Sequence, residues 1–176
     1  MQAGMTKNSL REQFPLLLER HRGIVLKVAN MYCRHAEDRL DLAQEIATQA
    51  WKAFASWDAA RPFSTWLYRI ALNVAISFVR STGHSVRQTL ALDAIDLDIE
   101  FGHDDDATRE TDDGIRALYR VIGQLDPLNR ALLLLYLDER SQREIADILG
   151  IRESNVATKI GRLKQRIRDD INLTGT

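Results

Sequence analysis

Hydrophobic residues recur at helical spacing along most of the chain, and no stretch alternates apolar and polar residues as a half-buried strand would. A serine before one apolar run and an Asp-Pro pair before another are N-terminal helix signals, at Ser64 and at Asp126–Pro127. Residues 35–38 form a polar connection, and residues 56–62 form a loop that Pro62 ends. The pattern therefore predicts an all-α protein, with helices over residues 10–32 (one or two helices), 40–54, 65–80, 115–125 and 127–137.

The stretch 141–168 predicts a helix-turn-helix. Ser141 and Glu144 have the spacing of a capping box, which places the start of the first helix at Gln142. Gly150 can adopt positive φ and end that helix. After a short turn, apolar residues resume at helical spacing, at Val156, Ile160, Leu163 and Ile167.

The second helix of this motif carries amide, hydroxyl and cationic groups outside its apolar stripe: Asn155, Thr158, Lys159, Arg162, Lys164, Arg166 and Arg168. Such groups suit base edges and phosphates in a major groove. An ordinary helical hairpin with a solvated basic face is the alternative. The common register of the capping box, the glycine and the basic helix favours a DNA-binding motif.

The helix predicted over 40–54 has two distinct faces. Its apolar side is formed by Ala43, Ile46, Ala47, Ala50 and Phe54, and its polar side by Asp41, Gln44, Glu45, Thr48 and Lys52. An acidic face with an amide is usually only solvated, but it also suits docking of a basic partner. Thr48 is interpreted as a plain exposed threonine in preference to a phosphorylation site.

The helix predicted over 65–80 combines an expected core stripe, Trp66, Leu67, Ile70, Val74 and Phe78, with a polar face, Thr65, Arg69, Asn73, Ser77 and Arg80. Tyr68 is expected at the flank of the polar face. Trp57 and Phe63 lie on the preceding loop. Arginines, aromatic rings and an asparagine suit single-stranded nucleic acid, because arginines hold phosphates and rings stack on unpaired bases. That the two loop aromatics only cap the core is an equally weighted alternative.

The distribution of charge divides the chain. Residues 1–80 carry 11 basic and 7 acidic residues, whereas residues 81–113 carry 2 and 10. Residues 114–176 carry 11 and 8, so the formal net charge of −1 conceals two mildly basic blocks. A segment so acidic and so poor in apolar residues is expected to be a flexible linker. We therefore expect two small helical domains, 10–80 and 114–172, joined by the acidic linker 81–113.

Composition excludes several classes of protein. A hydrophobic content of 45% and a charged content of 28% are typical of a globular chain. The absence of a long apolar run and of a signal-peptide pattern predicts a cytoplasmic protein without membrane insertion. Cys33 is the single cysteine, and with His35 it supplies too few ligands for a metal. No spacing indicates a catalytic site, so neither an enzyme nor a cofactor is expected.

Three stretches together resemble the extracytoplasmic-function (ECF) sigma factors, the smallest class of sigma-70-type factors. FSTWLYRIALNVAISFVR (Phe63–Arg80) is similar to regions 2.3–2.4, and DRLDLAQEIATQAWKAF (Asp38–Phe54) is similar to region 2.2. LDPLNRALLLLYLDERSQREIADILGI (Leu125–Ile151) is similar to region 4. The resemblance covers residues 14–80 and 114–170, and it implies an alternative sigma factor that directs core RNA polymerase to specific promoters in a stress or envelope response.

The resemblance also implies roles for surfaces. The helix with Asp41, Gln44, Glu45 and Thr48 would dock on the β′ clamp helices of polymerase, and the β flap would be a further contact. The melted minus-10 element would bind a second set, Trp57, Phe63, Thr65, Tyr68, Arg69 and Asn73. The duplex minus-35 element would bind a third, Arg152, Ser154, Asn155, Thr158, Lys159 and Arg162. The acidic linker would run towards the active-site cleft and RNA exit path of polymerase. The resemblance implies an anti-sigma factor as a partner. It would cover the polymerase-binding surfaces of both domains and hold the chain inactive, in the cytoplasm or at the inner membrane. Control by phosphorylation is the open alternative.

The opening of the second helix departs from the family pattern. Arg152 stands where a small hydroxyl residue is usual, and residues 154–159 replace the common Gly-Thr-Val-Lys-Ser-Arg. The promoter sequence is therefore not transferable. The alternative function is a stand-alone helix-turn-helix regulator, which would bind palindromic duplexes as a dimer. The net charge of +3 on residues 114–176 disfavours it, because few phosphates would be neutralised.

Overall fold

The structure is a computed structural model that describes residues 7–81, 118 and 120–174. Within these residues every regular element is a helix, which confirms the all-α prediction. The described residues form two compact units, the first mainly before Val79 and the second mainly after Phe78. Residues 82–113, which make up nearly all of the predicted linker, lie outside the described residues.

The first unit contains four α-helices and a short 3₁₀ turn. The predicted stretch 10–32 is two helices, α1 (Lys7–Arg20) and α2 (Arg22–Tyr32), separated at His21. They are followed by α3 (Ala36–Ala53), the 3₁₀ turn Phe54–Ser56 and α4 (Phe63–Ser81).

Two predicted helix starts in this unit are wrong. α3 begins at Ala36 and not at Leu40, because Glu37 and Asp38 in its first turn suit the positive end of the helix dipole. α4 begins at Phe63, so Ser64 lies inside the first turn and is not its N-cap.

The core of the first unit is formed where α2 packs on α3 and α1 packs on α2 and on the 3₁₀ turn. The centre of this core is fully buried, at Val28, Leu42, Ile46, Ala50, Leu67 and Tyr68. Leu42 was absent from the predicted stripe of its helix. Ala43 and Ala47, which were predicted to be buried, are half-buried at its margin.

The buried side of α4 differs from the predicted one by about one residue of rotation. Of the predicted stripe only Leu67 is buried, and Trp66, Ile70, Val74 and Phe78 are half-buried. The residues that pack most tightly are Phe63, Leu67, Tyr68, Ala71, Leu72, Ala75 and Val79. Ala71 and Ala75 are only weakly apolar, yet their small side chains suit close packing between helices. The spacing of the large apolar residues alone therefore indicated the wrong face.

The second unit contains a helical segment at 120–124, then α5 (Pro127–Leu137), α6 (Gln142–Leu149) and α7 (Glu153–Thr174), with α5 packed against α7. The predicted Asp126 N-cap is confirmed, because its Oδ1 accepts a hydrogen bond of 3.0 Å from the Asn129 N–H. Arg130 donates from Nε to the Leu125 carbonyl at 3.0 Å and from Nη2 to the Gly123 carbonyl at 2.9 Å. These bonds fix the chain between 120–124 and α5.

Candidate nucleic-acid and protein interfaces

The start of α6 contains the predicted capping box. The Ser141 N–H donates to Glu144 Oε2 at 2.9 Å, and the Glu144 N–H donates to Ser141 Oγ at 3.2 Å. The backbone hydrogen bond from Ser141 lowers the pKa of Glu144 below its ordinary value of 4.5 despite some opposing desolvation, and Arg140 adds to the effect. Arg140 lies 3.0 Å from Asp138 Oδ2 and 3.6 Å from Glu144 Oε1. The turn before α6 is thus ordered by charged hydrogen bonds.

α5 and α6 end in the same way. Gly150 has φ of 67°, and the Ile151 N–H donates to the Ala146 carbonyl at 3.1 Å. Glu139 has φ of 56°, and the Arg140 N–H donates to the Leu135 carbonyl at 3.1 Å. Both are Schellman ends, in which a left-handed residue satisfies the last carbonyls of the helix. The end at Gly150 separates α6 from α7, and these two helices form the predicted helix-turn-helix.

α7 buries Val156, Ile160 and Leu163 and leaves Ile167 half-buried, as its apolar spacing predicted. Most of the proposed duplex-reading residues are exposed, namely Arg152, Ser154, Asn155, Thr158 and Arg162, and Lys159 is half-buried. Arg152 supplies no hydroxyl cap, but its carbonyl accepts the Asn155 N–H at 2.9 Å. The face is therefore available to a ligand.

The cations of α7 have different surroundings. Lys164 places Nζ 4.3 Å from the centre of the Tyr136 ring on α5, which is a cation–π contact. Arg166 Nε lies 3.8 Å from Asp170 Oδ2, and Gln165 Nε2 donates to Asp169 Oδ1 at 2.9 Å. The aspartates near the end of α7 are thus engaged by Arg166 and Gln165, whereas the exposed Arg162 lies beside Thr158 on the turns that precede them.

The polar face of α4 is exposed at Arg69, Asn73, Ser77 and Arg80, and Thr65 is half-buried. The placement of Tyr68 at its flank is wrong: the side chain is 0% exposed. The one-residue rotation of the buried side carries Tyr68 into the core. Tyr68 therefore supports this face from beneath and does not form part of its surface.

Trp57 and Phe63 belong to an aromatic cluster, defined as Phe54, Trp57, Phe63 and Trp66. The placement of Phe63 on the loop is wrong, because Phe63 is the first residue of α4. Trp57 stacks on Phe54 with ring centres 5.6 Å apart and planes at 16°, and it meets Phe63 edge-on at 5.4 Å. Phe63 is buried, whereas Trp57 and Trp66 are half-buried. The alternative interpretation, in which the aromatic residue only caps the core, therefore holds for Phe63.

The loop above this cluster has a defined turn. The Ala60 N–H donates to Asp58 Oδ1 at 3.0 Å, and the Arg61 N–H donates to the Asp58 carbonyl at 2.9 Å. This Asx-type turn leaves Asp58 and Arg61 exposed beside α4. Loop and helix thus both carry exposed polar side chains next to the aromatic cluster.

The polar face of α3 is exposed at all four predicted residues, Asp41, Gln44, Glu45 and Thr48. Thr48 Oγ1 donates to the Gln44 carbonyl at 2.8 Å, and Gln49 Nε2 donates to Glu45 Oε1 at 2.7 Å. Sequence reasoning missed two large apolar residues on this side, Leu40 (67% exposed) and Trp51 (43% exposed). Their helical spacing from Gln44 and Thr48 was the signal that could have identified them.

Neither a metal centre nor a membrane span is found in the described part of the chain. No group of three or more His, Cys, Asp or Glu residues among residues 7–81, 118 and 120–174 could hold a metal ion. Across the same residues no helix is both long and apolar enough to cross a bilayer. Cys33 is buried.

Comparisons with known proteins match both units. The family model of sigma-70 region 2 matches residues 17–85, and that of sigma-70, region 4 matches residues 115–167. The RNA polymerase sigma-H factor of Pseudomonas aeruginosa is 28% identical over 167 residues, which cover 89% of this chain and 85% of that protein. The ECF RNA polymerase sigma-E factor of Haemophilus influenzae is 28% identical over 170 residues, covering 92% and 88%.

Two solved structures share the fold. One is CnrH in complex with the cytosolic domain of CnrY, with a TM-score of 0.66 and 22% identity over 93% of this chain and 90% of that chain. The other is the sigma factor RpoE in complex with the anti-sigma factor NepR from Bartonella quintana, with a TM-score of 0.63 and 16% identity over 92% and 96%. With both regions matched in order, the chain belongs to the sigma-70 family of RNA polymerase sigma factors, in its ECF group.

Proposed function

We propose that this chain is an alternative sigma factor, a dissociable subunit that directs core RNA polymerase to specific promoters and starts transcription there. The observation that carries the proposal is the presence, on one chain, of an exposed helix-turn-helix and an exposed polar α4 face, within matches to regions 4 and 2. Sigma factors are not enzymes, and we assign this chain no catalysis of its own. A role in a stress or envelope response stays a prediction.

The exposed side of α3 is the proposed docking surface for core polymerase, on the β′ clamp helices, with the β flap as a second contact. Asp41 and Glu45 supply negative charge, and Gln44 and Thr48 lie between them and the apolar pair Leu40 and Trp51. Apolar anchors among polar groups are typical of protein interfaces. This surface therefore supports a protein partner better than a nucleic acid.

The polar surface of α4 and its loop is the proposed reader of the melted minus-10 element. Thr65, Arg69 and Asn73 present hydroxyl, guanidinium and amide groups along one side of α4. Trp57 is half-buried on the loop before α4, and Phe63 and Tyr68 act as buried supports. Extrusion of a base onto such a surface would couple sequence reading to strand opening.

The exposed face of α7 is the proposed reader of the duplex minus-35 element. Ser154, Asn155 and Thr158 can meet base edges, while Arg152, Lys159 and Arg162 can meet bases or phosphates. The proposed domain limits are 10–80 and 114–172, with 81–113 as the linker between the two readers. Because neither reader includes the other's residues, each can be disabled separately.

Regulation by an anti-sigma factor is part of the proposal. The RpoE structure was solved with an anti-sigma factor, and the CnrH structure with the cytosolic domain of CnrY. For this chain we propose a protein partner that covers the polymerase-docking side of α3. An anti-sigma factor of this kind would keep the chain in the cytoplasm or at the inner membrane.

The test is reconstituted transcription. Promoters are first mapped by transcript 5′-end sequencing after overexpression, and purified chain is then added to core RNA polymerase on those templates. We expect specific initiation that core alone does not give. Templates with a scrambled minus-10 or minus-35 element are the controls. Absence of core binding, together with tight duplex binding by the free chain, would instead support a stand-alone regulator.

A further inference from the structure

Gly161 occupies an unusual place in α7. It lies in the interior of a helix that runs from Glu153 to Thr174, and it is exposed. Glycine is among the poorest residues for a helix interior, because it loses the most backbone freedom on folding. Such a glycine calls for a compensating reason elsewhere.

The protein itself supplies no such reason. Gly161 is not among the positive-φ glycines of the described residues, so its backbone does not need the freedom of glycine. A Cβ at this position would meet no other group within 4 Å beyond the backbone of its own helix turn, so no neighbouring helix needs the space. Turn geometry and internal packing are thereby excluded as explanations.

The neighbours of Gly161 lie on the proposed duplex-reading face. Thr158 precedes it by three residues and Arg162 follows it, and both are exposed. An α-helix with its side chains is about 10–12 Å across, and the major groove of B-DNA is about 12 Å wide, so the fit leaves little room. A position without a side chain lets the helix backbone approach the groove wall more closely.

We infer that Gly161 is a positioning residue for duplex recognition: its missing side chain sets how deeply α7 enters the major groove. The inference rests on the proposed function, because it assigns a role within the proposed minus-35 surface. Closer approach of the backbone brings Thr158 and Arg162 within reach of base edges. The glycine lowers the stability of the free protein but lets α7 enter the major groove more deeply.

The test compares Gly161→Ala and Gly161→Leu in the full-length chain, assembled with core RNA polymerase. The probe is a duplex promoter fragment mapped by transcript 5′-end sequencing, measured against the same fragment with a scrambled minus-35 element. Both variants should raise the Tm of the free protein, by about 4–8 °C for a unit of this size, since both residues favour helix. Discrimination between the fragments should fall a few-fold for Ala and about tenfold or more for Leu, since overpacking a close contact is costly.

Gly23→Ala is the matched control. Gly23 is also exposed and helical, and a Cβ there would likewise meet nothing within 4 Å, but it lies in α2 of the other unit. It should leave discrimination unchanged. Unchanged discrimination in both Gly161 variants would overturn the inference, and so would equal losses, because a steric contact must scale with side-chain size and a flexibility effect need not.

Arg162→Ala distinguishes a failure of the role of Gly161 from a failure of the proposed duplex-reading face. If Arg162→Ala weakens minus-35-dependent binding while Gly161→Leu does not, the role of the glycine is wrong and the duplex-reading face stands. If wild-type holoenzyme does not distinguish the two fragments at all, both the proposed minus-35 face and the role of Gly161 are wrong.

Discussion

Lys164 on α7 places its ammonium group 4.3 Å from the centre of the Tyr136 ring on α5. The contact joins the middle of the proposed reading helix to the helix that packs behind it. A cation held over an aromatic ring is less free to follow a phosphate. We therefore expect Lys164 and Arg162 to differ in role, although both are basic residues of one helix.

Replacing Lys164 with Met should remove the cation and keep most of the stem. We expect a loss of about 0.5–1 kcal/mol in the free energy of unfolding, as for an exposed cation–π pair. The salt dependence of duplex binding should stay unchanged, whereas Arg162→Ala should reduce the slope by about one if that side chain meets phosphate. Tyr136→Phe keeps a ring and should behave as wild type, and a reduced slope for Lys164→Met would show that it contacts DNA.

The capping box should make stability depend on pH. Because the folded-state pKa of Glu144 is lowered, its contribution is complete above the pKa of the unfolded chain and is lost as the pH falls through and below 4.5. Urea unfolding across that range should show a smaller acid loss for Glu144→Gln than for wild type. Ser141→Ala should cost about 1 kcal/mol at neutral pH, and an unchanged acid profile in Glu144→Gln would contradict the assignment.

Substitution of Glu139 by glycine should stabilise the protein. It holds φ of 56° at the end of α5, a conformation that costs a non-glycine residue about 1–2 kcal/mol. Glu139→Gly should therefore raise the free energy of unfolding by about 1 kcal/mol, measured by chemical denaturation. Glu139→Ala keeps a Cβ and should bring no such gain. An equal gain from both variants would assign the effect to the lost charge.

Substitutions of Tyr68 and Asn73 should distinguish structural support of α4 from recognition of the minus-10 element. Tyr68→Ala removes a fully buried ring and should cost about 3–5 kcal/mol in stability. Asn73→Ala removes an exposed amide and should change stability by less than about 0.5 kcal/mol while altering minus-10 preference. Denaturation and transcription from a minus-10 library measure the two effects. An unchanged preference in Asn73→Ala would remove that residue from the proposed reader.

Core polymerase binding should have an electrostatic and an apolar part. Asp41→Ala with Glu45→Ala should weaken binding mainly at low salt, because exposed charges are screened as ionic strength rises. Leu40→Ala should weaken it at every salt concentration, since apolar burial is not screened. Leu16, which is 70% exposed on α1, provides the control, and Leu16→Ala should have no effect. Equal effects of the two leucine substitutions would argue against the α3 surface.

The parts of the fold that could be predicted from sequence are those fixed by neighbouring residues. The Ser141–Glu144 box, the Asp126 cap and the positive φ of Gly150 depend on side chains three residues apart or on one residue alone. Spacing also indicated the exposed residues Arg69, Asn73, Ser77 and Arg80 of α4 and most of the exposed polar residues of α7. Local chemistry decides such features before any tertiary contact forms.

The parts that could not be predicted depend on packing between helices. Helical spacing places Tyr68 at the flank of the polar face, yet Tyr68 is fully buried together with Ala71 and Ala75. Lys164 was grouped with the other cations because sequence spacing does not show that α5 brings Tyr136 to it. Both errors concern what a neighbouring element contributes, and single-helix patterns do not contain that information.

If α7 reads duplex DNA as proposed, the two aspartates near its end, Asp169 and Asp170, limit the length of sequence that it can contact. From Glu153 to Arg168 the helix spans about 24 Å at about 1.5 Å per residue, which corresponds to at most about seven base pairs of duplex. Beyond that point Asp169 and Asp170 offer no cation to a phosphate. A sequence of about seven base pairs recurs by chance about every 16,000 base pairs, so it is too common to mark one start site in a genome. A promoter would then be specified by two short sequence elements at a fixed distance, so the length of the spacer between them would also be recognised.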